Sequence, residues 1–447
     1  MDTIYALSTP PGQSAIAIVR ISGAQSREVF ERVFRHGGQT QSHRLYYGDI
    51  VDEDGVVDEA MAVFMAGPNS YTREDMAEFH CHGSMAVVKK LMQTLDRQGL
   101  RLAQGGEFSK RAFLSGRIDL AQAEAVMDLI ASSSERGRQT SLRQMKGSLS
   151  QKIIACRDGI ANILAALEVS IDYPEEMIDV LGVGEDMDGV LEELAALSAT
   201  FHTGRMIREG VAVAIVGRPN VGKSSLLNAL VGSERAIVTE VAGTTRDVIE
   251  EPFQIDGMPV RLIDTAGIRE GEDPVEKLGV ARSFAALREA DVAVLVLDTS
   301  RPLVDEDRSI AESIGGPFLI ALNKSDGPVV LPPQEVADAF PNVRVLPVSA
   351  ATGDGLHALV DALYDAALER GGDGGFSEAV VNQRHQEAIS RAREAIQQAK
   401  RTLYELEDEA CVATDLRIGW EALGEIVGET ATEDLLDRIF SQFCLGK

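Results

Sequence analysis

The spacing of apolar positions changes character along the chain. Over the first 118 or so residues, short apolar runs alternate with helical spacing. Ser14-Ala-Ile-Ala-Ile-Val-Arg20-Ile-Ser-Gly23 and Ala60-Met-Ala-Val-Phe-Met65 read as strands. Between them and the next segment, Met85, Val87, Val88, Leu91, Met92 and Leu95 recur at the i, i+3, i+4 spacing of a helix over 84–98. From about 119 to 209 the pattern is almost wholly helical and rich in Ala, Leu, Gln and Glu. Between 210 and 371 it turns into short apolar runs, unbroken in Val211-Ala-Val-Ala-Ile-Val216 and Pro317-Phe-Leu-Ile-Ala-Leu322 and with one arginine each in Val260-Arg-Leu-Ile263 and Val343-Arg-Val-Leu346. Such runs predict strands buried on both faces of a parallel sheet. Gly371-Gly-Asp-Gly-Gly375 reads as a flexible linker, after which helical spacing resumes. In the last helix Thr430-x-x-Glu433 reads as a capping box, ahead of an apolar stripe of Leu435, Leu436, Ile439, Phe440 and Phe443.

The chemistry sits where the apolar runs end. After Val216 comes Gly217-Arg-Pro-Asn-Val-Gly222-Lys223-Ser224-Ser225, a complete G-x-x-x-x-G-K-[ST] phosphate loop between a strand and a helix. Its glycines let the backbone wrap a phosphate, and the N–H groups of Asn220, Val221, Gly222, Lys223, Ser224 and Ser225 together with the helix N-terminus hold its charge. Lys223 is placed to reach the β- and γ-phosphates, and Ser224 to bind Mg²⁺. Asp264-Thr265-Ala266-Gly267 delivers a carboxylate to the Mg²⁺ shell and an N–H to the γ-phosphate. Asn323-Lys324-Ser325-Asp326 reads the base. The Asp326 carboxylate accepts from guanine N1–H and the N2 amino group; adenine offers neither, and an unpaired desolvated carboxylate costs on the order of several kcal/mol. Ser349-Ala350 fits a short loop closing over the guanine. One position departs from Ras-like proteins: Ile268 stands where they carry a water-orienting Gln, so another group must position water or hydrolysis is very slow.

Composition adds constraints. A chain of 447 residues is expected to hold two to four domains. It has no run of 18 apolar residues, and Met1-Asp2-Thr3-Ile4-Tyr5 lacks a basic-then-apolar secretion signal. Cys81, Cys156, Cys411 and Cys444 are scattered without a Cys-x-x-Cys pair, which predicts free thiols in a reduced, cytoplasmic setting and no structural zinc. With 70 acidic and 43 basic residues the net charge is −27, a surface that repels nucleic acid overall. An RNA role needs a local basic patch or a basic partner. Two helical sets offer themselves, Arg136, Arg138, Arg143, Lys146 and Lys152, and Arg384, Arg391, Arg393, Lys400 and Arg401; both also read as solvated helix faces.

A wider set of motifs runs in order through the chain. It includes Asp2-Thr-Ile-Tyr-Ala-Leu-Ser-Thr-Pro-Pro-Gly12, Arg20-Ile-Ser-Gly23, Gly67-Pro-Asn-Ser-Tyr-Thr72, Gly106-Glu-Phe108, Arg111-Ala-Phe-Leu114 and Asp119-Leu-Ala-Gln-Ala-Glu124. Ile171-Asp-Tyr-Pro174, Gly243-Thr-Thr-Arg-Asp247 and Phe443-Cys-Leu-Gly-Lys447 complete it. With these motifs the whole chain closely resembles the MnmE (TrmE) family of tRNA modification GTPases. The resemblance implies a multi-domain α/β and α fold: a P-loop GTPase with a Ras-like doubly wound sheet, inserted in an all-α helical domain and preceded by an α+β folate-binding-like N-terminal domain. The boundaries expected are 1–118 for tetrahydrofolate binding and dimerisation, 119–209 and 372–447 for the two parts of the helical domain, and 210–371 for the GTPase.

The resemblance also implies a function and its residues. With an FAD-dependent partner, MnmG (GidA), in a heterotetramer-type complex, a homodimeric GTPase would add an aminomethyl or carboxymethylaminomethyl group to C5 of the tRNA wobble uridine. A tetrahydrofolate derivative, in its 5-formyl or methylene form, would lie against Arg20, Glu78, Arg117 and Lys447; Arg117 stands where some relatives have lysine. K⁺ would replace an arginine finger beside the phosphates, held by Asn220 and by the loop around Thr239, Val241 and Thr244. Thr245 would join Ser224 on Mg²⁺, and Glu276 would orient the attacking water through a bridging water. Cys444 would lie near the folate as nucleophile, acid or packing residue. Two other classes remain open on the residues: a ribosome-assembly or tRNA-binding GTPase without covalent chemistry, and a stand-alone folate-dependent aminomethyltransferase regulated by GTP. The second needs acid/base groups within 1–118. His80 and His82 are candidates, and being two residues apart they are expected on opposite sides of a strand, which argues against a shared metal.

Overall fold

The computed structural model describes residues 2–132, 135–173, 180–231, 253–255, 258–263, 290–370, 381–405, 408–443 and 445–446. The chain divides into two compact units, one of Met1–Met127, Met145–Arg157 and Arg417–Lys447, the other of Asp128–Gln144 and Asp158–Leu416.

The first unit is built on a seven-stranded sheet in the order β3-β4-β5-β6-β2-β1-β7, formed by β1 (Ile4–Leu7), β2 (Ser14–Ser22), β3 (Phe34–Arg35), β4 (Arg44–Asp52), β5 (Gly55–Met65), β6 (Met76–Gly83) and β7 (Arg101–Leu102). Helices α1 (Ser26–Val33) and α2 (Met85–Arg97) supply Val29, Phe30, Val33, Leu91 and Leu95 to a core shared with Val19, Ile21, Phe64 and Phe79 of the sheet. The opposite face is only partly covered, so the strands alternate. In β6, Ala77, Phe79 and Cys81 are buried while Glu78 and His80 are half-buried and His82 exposed. This corrects the expectation for the two histidines: a strand repeats every two residues, so His80 and His82 share the outer face with Glu78.

A second cluster in this unit joins Leu120 and Ala123 to Leu436, Ile439, Phe440 and Phe443, with Leu435 half-buried against it, so the stripe predicted at the C-terminal end is a packed face. The predicted capping box is displaced. The residue that caps Glu433–Ser441 is Thr432, whose side chain accepts from the Leu435 N–H at 3.3 Å. Thr430 instead donates its hydroxyl to the Glu421 carbonyl at 2.7 Å, a tertiary partner that three-residue spacing cannot reveal.

In the second unit, six strands take the order β13-β12-β11-β8-β10-β9. They are β8 (Val211–Val216), β9 (Phe253–Ile255), β10 (Met258–Ile263), β11 (Val292–Asp298), β12 (Phe318–Asn323) and β13 (Val345–Pro347). All neighbouring pairs are parallel except β9 with β10. Val211, Val213 and Ile215 pack into one core with Leu226, Leu359 and Leu363; Ala214 and Val216 pack into another with Ala311, Leu331 and Val336. The sheet is therefore covered on both faces, as in doubly wound folds.

The same unit carries helices that precede and follow the sheet in sequence. Helix α3 (Val180–Ala199) packs along the helix Gln383–Glu405, with Lys400 Nζ 2.5 Å from Asp188. The Val381 N–H reaches Thr200 Oγ1 at 3.3 Å across 181 positions of sequence. The sheet-forming segment thus leaves the helical layer and returns to it at neighbouring points, the geometry an inserted domain requires. Basic residues of the two candidate patches are engaged with neighbours: Arg138 with Glu135, Lys400 with Asp188, and Arg384 with His385. Among the described residues no helix is long and apolar enough to cross a membrane.

Candidate functional site

The strand order β11-β8-β10 makes β8 the point where chain connections part to opposite sides, and ligands of such sheets bind beyond the carboxyl ends of the strands there. The phosphate loop emerges at that point. Gly217 has φ 146, and a Cβ on it would lie 2.5 Å from the Val296 carbonyl, so only glycine lets the loop pass this close to β11. Asn220 takes a left-handed φ of 63. The helix α4 (Lys223–Val231) starts directly after Gly222, and the amides of its first turn, which have no partner within the helix, face the loop. Lys223 Nζ donates to the carbonyls of Gly217 and Arg218, both at 2.8 Å, and burial pushes its ammonium below the ordinary lysine range.

The base-reading residues converge on the same loop. Asn323, the last residue of β12 and 2 % exposed, donates from Nδ2 to the Val221 carbonyl at 2.9 Å and accepts at Oδ1 from the Ala350 N–H at 3.1 Å. One amide thus ties the phosphate loop to the 349–350 loop. Lys324 Nζ reaches the Asn220 carbonyl at 3.2 Å and Asp298 at 2.6 Å. Ser349, fully buried, donates to Asp326 Oδ1 at 2.5 Å and fixes one carboxylate oxygen. Asn220–Ser225, Asn323, Lys324, Asp326, Ser349 and Ala350 therefore form one constellation. Thr239, Val241, Thr244, Thr245, Asp264, Thr265, Ala266, Gly267, Ile268 and Glu276 lie outside the described residues.

Two supporting carboxylates were not read from the sequence. Asp298 ends β11 and pairs with Lys324; Asp307, 1 % exposed, accepts from Arg218 Nε at 2.7 Å and so holds the phosphate loop from behind. The signal available was the apolar run Val292–Leu297 ending in an aspartate. For Asp307, 89 positions from its partner, no local signal exists.

A second group of predicted residues meets in the first unit. Arg20 and Glu78 stand opposite each other in the β2–β6 register, with Arg20 Nε 2.8 Å from Glu78 Oε1. His80 Nε2 lies 3.3 Å from Glu78 Oε2. The His80 hydrogen bond, and then the Arg20 charge acting against burial, hold the Glu78 carboxyl below its ordinary range. Arg117 stacks over the Tyr71 ring at 4.8 Å and donates to the Tyr71 carbonyl at 3.0 Å, while Arg20 lies 6.0 Å from the same ring. Arg20 Nη1 also reaches the Gly446 carbonyl at 3.3 Å. Cys444 and Lys447, on either side of this contact, lie outside the described residues. Among the described residues no group of three His, Cys, Asp or Glu is arranged to hold a metal.

The whole chain matches known proteins. Residues 3–117 match the family "GTP-binding protein TrmE N-terminus" and residues 120–444 match the "MnmE helical domain". The chain is 45 % identical to the tRNA modification GTPase MnmE of Geotalea uraniireducens (strain Rf4), over 100 % of this chain and 99 % of that one. It is 44 % identical to the protein of the same name from Enterococcus faecalis (strain ATCC 700802 / V583), over 100 % and 98 %. With Alkaliphilus oremlandii (strain OhILAs) the values are 44 %, 100 % and 99 %. A phosphate loop, a guanine-reading strand end and a covered parallel sheet are what a GTP hydrolase needs, and together with these matches they show that the chain belongs to the MnmE family of tRNA modification GTPases.

Proposed function

We propose that the chain is a K⁺-dependent GTP hydrolase that, with an FAD-dependent partner, adds an aminomethyl or carboxymethylaminomethyl group to C5 of the wobble uridine of certain tRNAs, drawing the one-carbon unit from tetrahydrofolate. The observation that carries the GTPase part is the convergence of Val221, Asn323 and Ala350 through one buried amide, which joins phosphate and base recognition. Asp326 reads guanine. Lys223, desolvated and donating to the neutral carbonyls of Gly217 and Arg218, gains by pairing with phosphate oxygens. Ser224 with Thr245 would hold Mg²⁺, and Asp264, Thr265, Ala266 and Gly267 would face that ion and the γ-phosphate. Asn220, with Thr239, Val241 and Thr244, would hold K⁺, and Glu276 would orient water. Oxygen donors of this kind suit hard cations, which supply charge neutralisation at the phosphates.

The donor set around Glu78 supports the folate part. A pterin needs an acceptor for its N–H edge, donors for its oxygens and a flat partner. Glu78, Arg20, Arg117 and the Tyr71 ring are of these types and lie together; Lys447 would add a cation, and Cys444 would sit beside them. The outward sheet face supports a homodimer. Leu45 and Tyr47 of β4 are 49 % and 67 % exposed, and Met61, paired with Tyr47 across the strands, is 37 % exposed. We assign 1–118 to folate binding and dimerisation, 119–209 and 372–447 to the helical domain, 210–371 to the GTPase, and a cytoplasmic location to the whole. GTP turnover of the full chain, measured in KCl and in NaCl at equal ionic strength with and without the flavoprotein, tests the cation reading. Equal rates in the two salts would remove K⁺. Mass spectrometry of tRNA nucleosides from a deletion strain tests the rest, and unaltered wobble uridines would remove the modification.

A further inference from the structure

Resting on the guanine-nucleotide reading above, one residue outside every recognised motif stands out. Asp298 ends β11 directly opposite Asn323 in the β11–β12 register. Its side chain has no solvent exposure. One carboxylate oxygen accepts the Ser300 N–H at 2.9 Å and the Ser300 hydroxyl at 2.6 Å; the other accepts Lys324 Nζ at 2.6 Å, with Arg301 Nε 3.7 Å away. The Lys324 ammonium, so anchored, also donates to the Asn220 carbonyl. Both Lys324 (φ 65) and Asn220 (φ 63) have left-handed backbones; asparagine adopts that region readily, but a lysine keeps it only where the surroundings hold it. A single ammonium therefore links two left-handed residues, one in the base-reading segment and one in the phosphate loop, and a buried carboxylate fixes where it points.

We infer that Asp298 is a positioning residue for guanine-nucleotide binding and hydrolysis: it holds Lys324 against the Asn220 carbonyl and so transmits the geometry of the base-reading strand to the phosphate loop. It touches no nucleotide itself. Without the carboxylate, Lys324, which is 42 % exposed, has no reason to stay on Asn220 and turns to solvent. A merely structural role, holding the turn after β11 through Ser300, is the competing account.

The experiment measures GDP affinity by fluorescence and the GTP KM on the full chain. It uses wild type, Asp298→Asn, Ser300→Ala, Lys324→Met and the double variant Asp298→Asn/Lys324→Met. Asp298→Asn is expected to weaken GDP by about tenfold to a hundredfold and to raise KM in step, the range for losing a hydrogen bond to a charged group. Ser300→Ala, which leaves the Lys324 pair in place, is expected to stay within about threefold of wild type. In the Lys324→Met background Asp298→Asn is expected to add less than about twofold, because the ammonium it positions is gone. Full multiplication of the two single effects, or wild-type affinity in Asp298→Asn, overturns the inference. A wild-type chain that binds no GDP overturns the parent reading instead. Should Asp298→Asn not fold, Asp298→Glu, which keeps the charge on a longer arm, reads the same coupling against Lys324→Met.

Discussion

Asn323 is the joint of the nucleotide site, and the effect of removing it can be worked from its two bonds. Asn323→Ala deletes the donor to the Val221 carbonyl and the acceptor of the Ala350 N–H, at a position 2 % exposed. Each main-chain group left unpaired in a buried place costs about 1–3 kcal/mol, so the pair amounts to ~2–6 kcal/mol. That is a sizeable share of the ~5–15 kcal/mol that holds a domain together. Part of the loss falls on the free protein, and the rest on nucleotide binding, because GDP must then restore the loop geometry itself. GDP affinity is expected to drop by about thirtyfold or more. Asn323→Asp sharpens the test: it keeps the acceptor for Ala350 but puts an oxygen 2.9 Å from the Val221 carbonyl, so it is expected to be at least as damaging as alanine. The assay is titration of a fluorescent GDP analogue, with thermal unfolding followed through its release, since a chain of two compact units need not unfold in one step. For wild type, GDP at a hundred times Kd adds ~2.7 kcal/mol of stability. Affinity within threefold of wild type for both variants refutes the reasoning.

Three further outcomes are expected. Gly222→Ala would place a Cβ 2.2 Å from Asn323 Nδ2 at a φ of 97, so GDP affinity should fall by about a hundredfold, whereas Gly99→Ala, with φ 83 and open space, should leave affinity unchanged and cost only about 1–2 kcal/mol in stability. Arg111, whose side chain is 5 % exposed, bridges Asp2, Glu74 and Glu107, and Arg111→Met should lower stability by about 3–5 kcal/mol in denaturant titration. Arg101 foremost, with Arg111, holds Asp2 at about 2, and against burial the two arginines also keep Glu107 below its ordinary range. Depressed carboxylates stabilise above their unfolded pKa and lose that contribution as pH falls through the folded one, so wild-type Tm should decline from about pH 4.5 towards about 2, and the variant less steeply. Burial, and then Asp58, push the Cys81 thiol up to about 11, and Asp408 raises the Cys411 thiol too, so the difference rests on access: iodoacetamide at pH 8 should modify exposed Cys411, slowly, while buried Cys81 reacts only on unfolding.

Which parts of this molecule could be read in advance follows from how far apart the interacting residues lie in sequence. Two of the parallel strands are legible because burial on both faces makes them continuous apolar runs: β8 spans Val211–Val216 as read, and β12 begins one residue later than its run suggests, whereas β11 (Val292–Asp298), as continuous as either, is not among the strands expected. The first sheet was harder. β4, Arg-Leu-Tyr-Tyr-Gly-Asp-Ile-Val-Asp, leaves Leu45 and Tyr47 outward and has no clean alternation to mark it as a strand, and β6 carries His80 and His82 on one face because residues two apart in a strand point the same way. The residues expected to face the nucleotide stand out as a set because each motif is contiguous and chemically specific. The residues that give those motifs their shape do not. The phosphate loop is held by Asp307 from 89 positions away and by Asn323 from 102, and Arg111 gathers partners at positions 2, 74 and 107. Apart from the local pair Glu107–Arg111, no short window of sequence contains these partners. A motif thus names the atoms that would meet the ligand. The left-handed Lys324, in a conformation that lysine has no local preference for, shows that their geometry is imposed from elsewhere, by buried partners brought in by the fold.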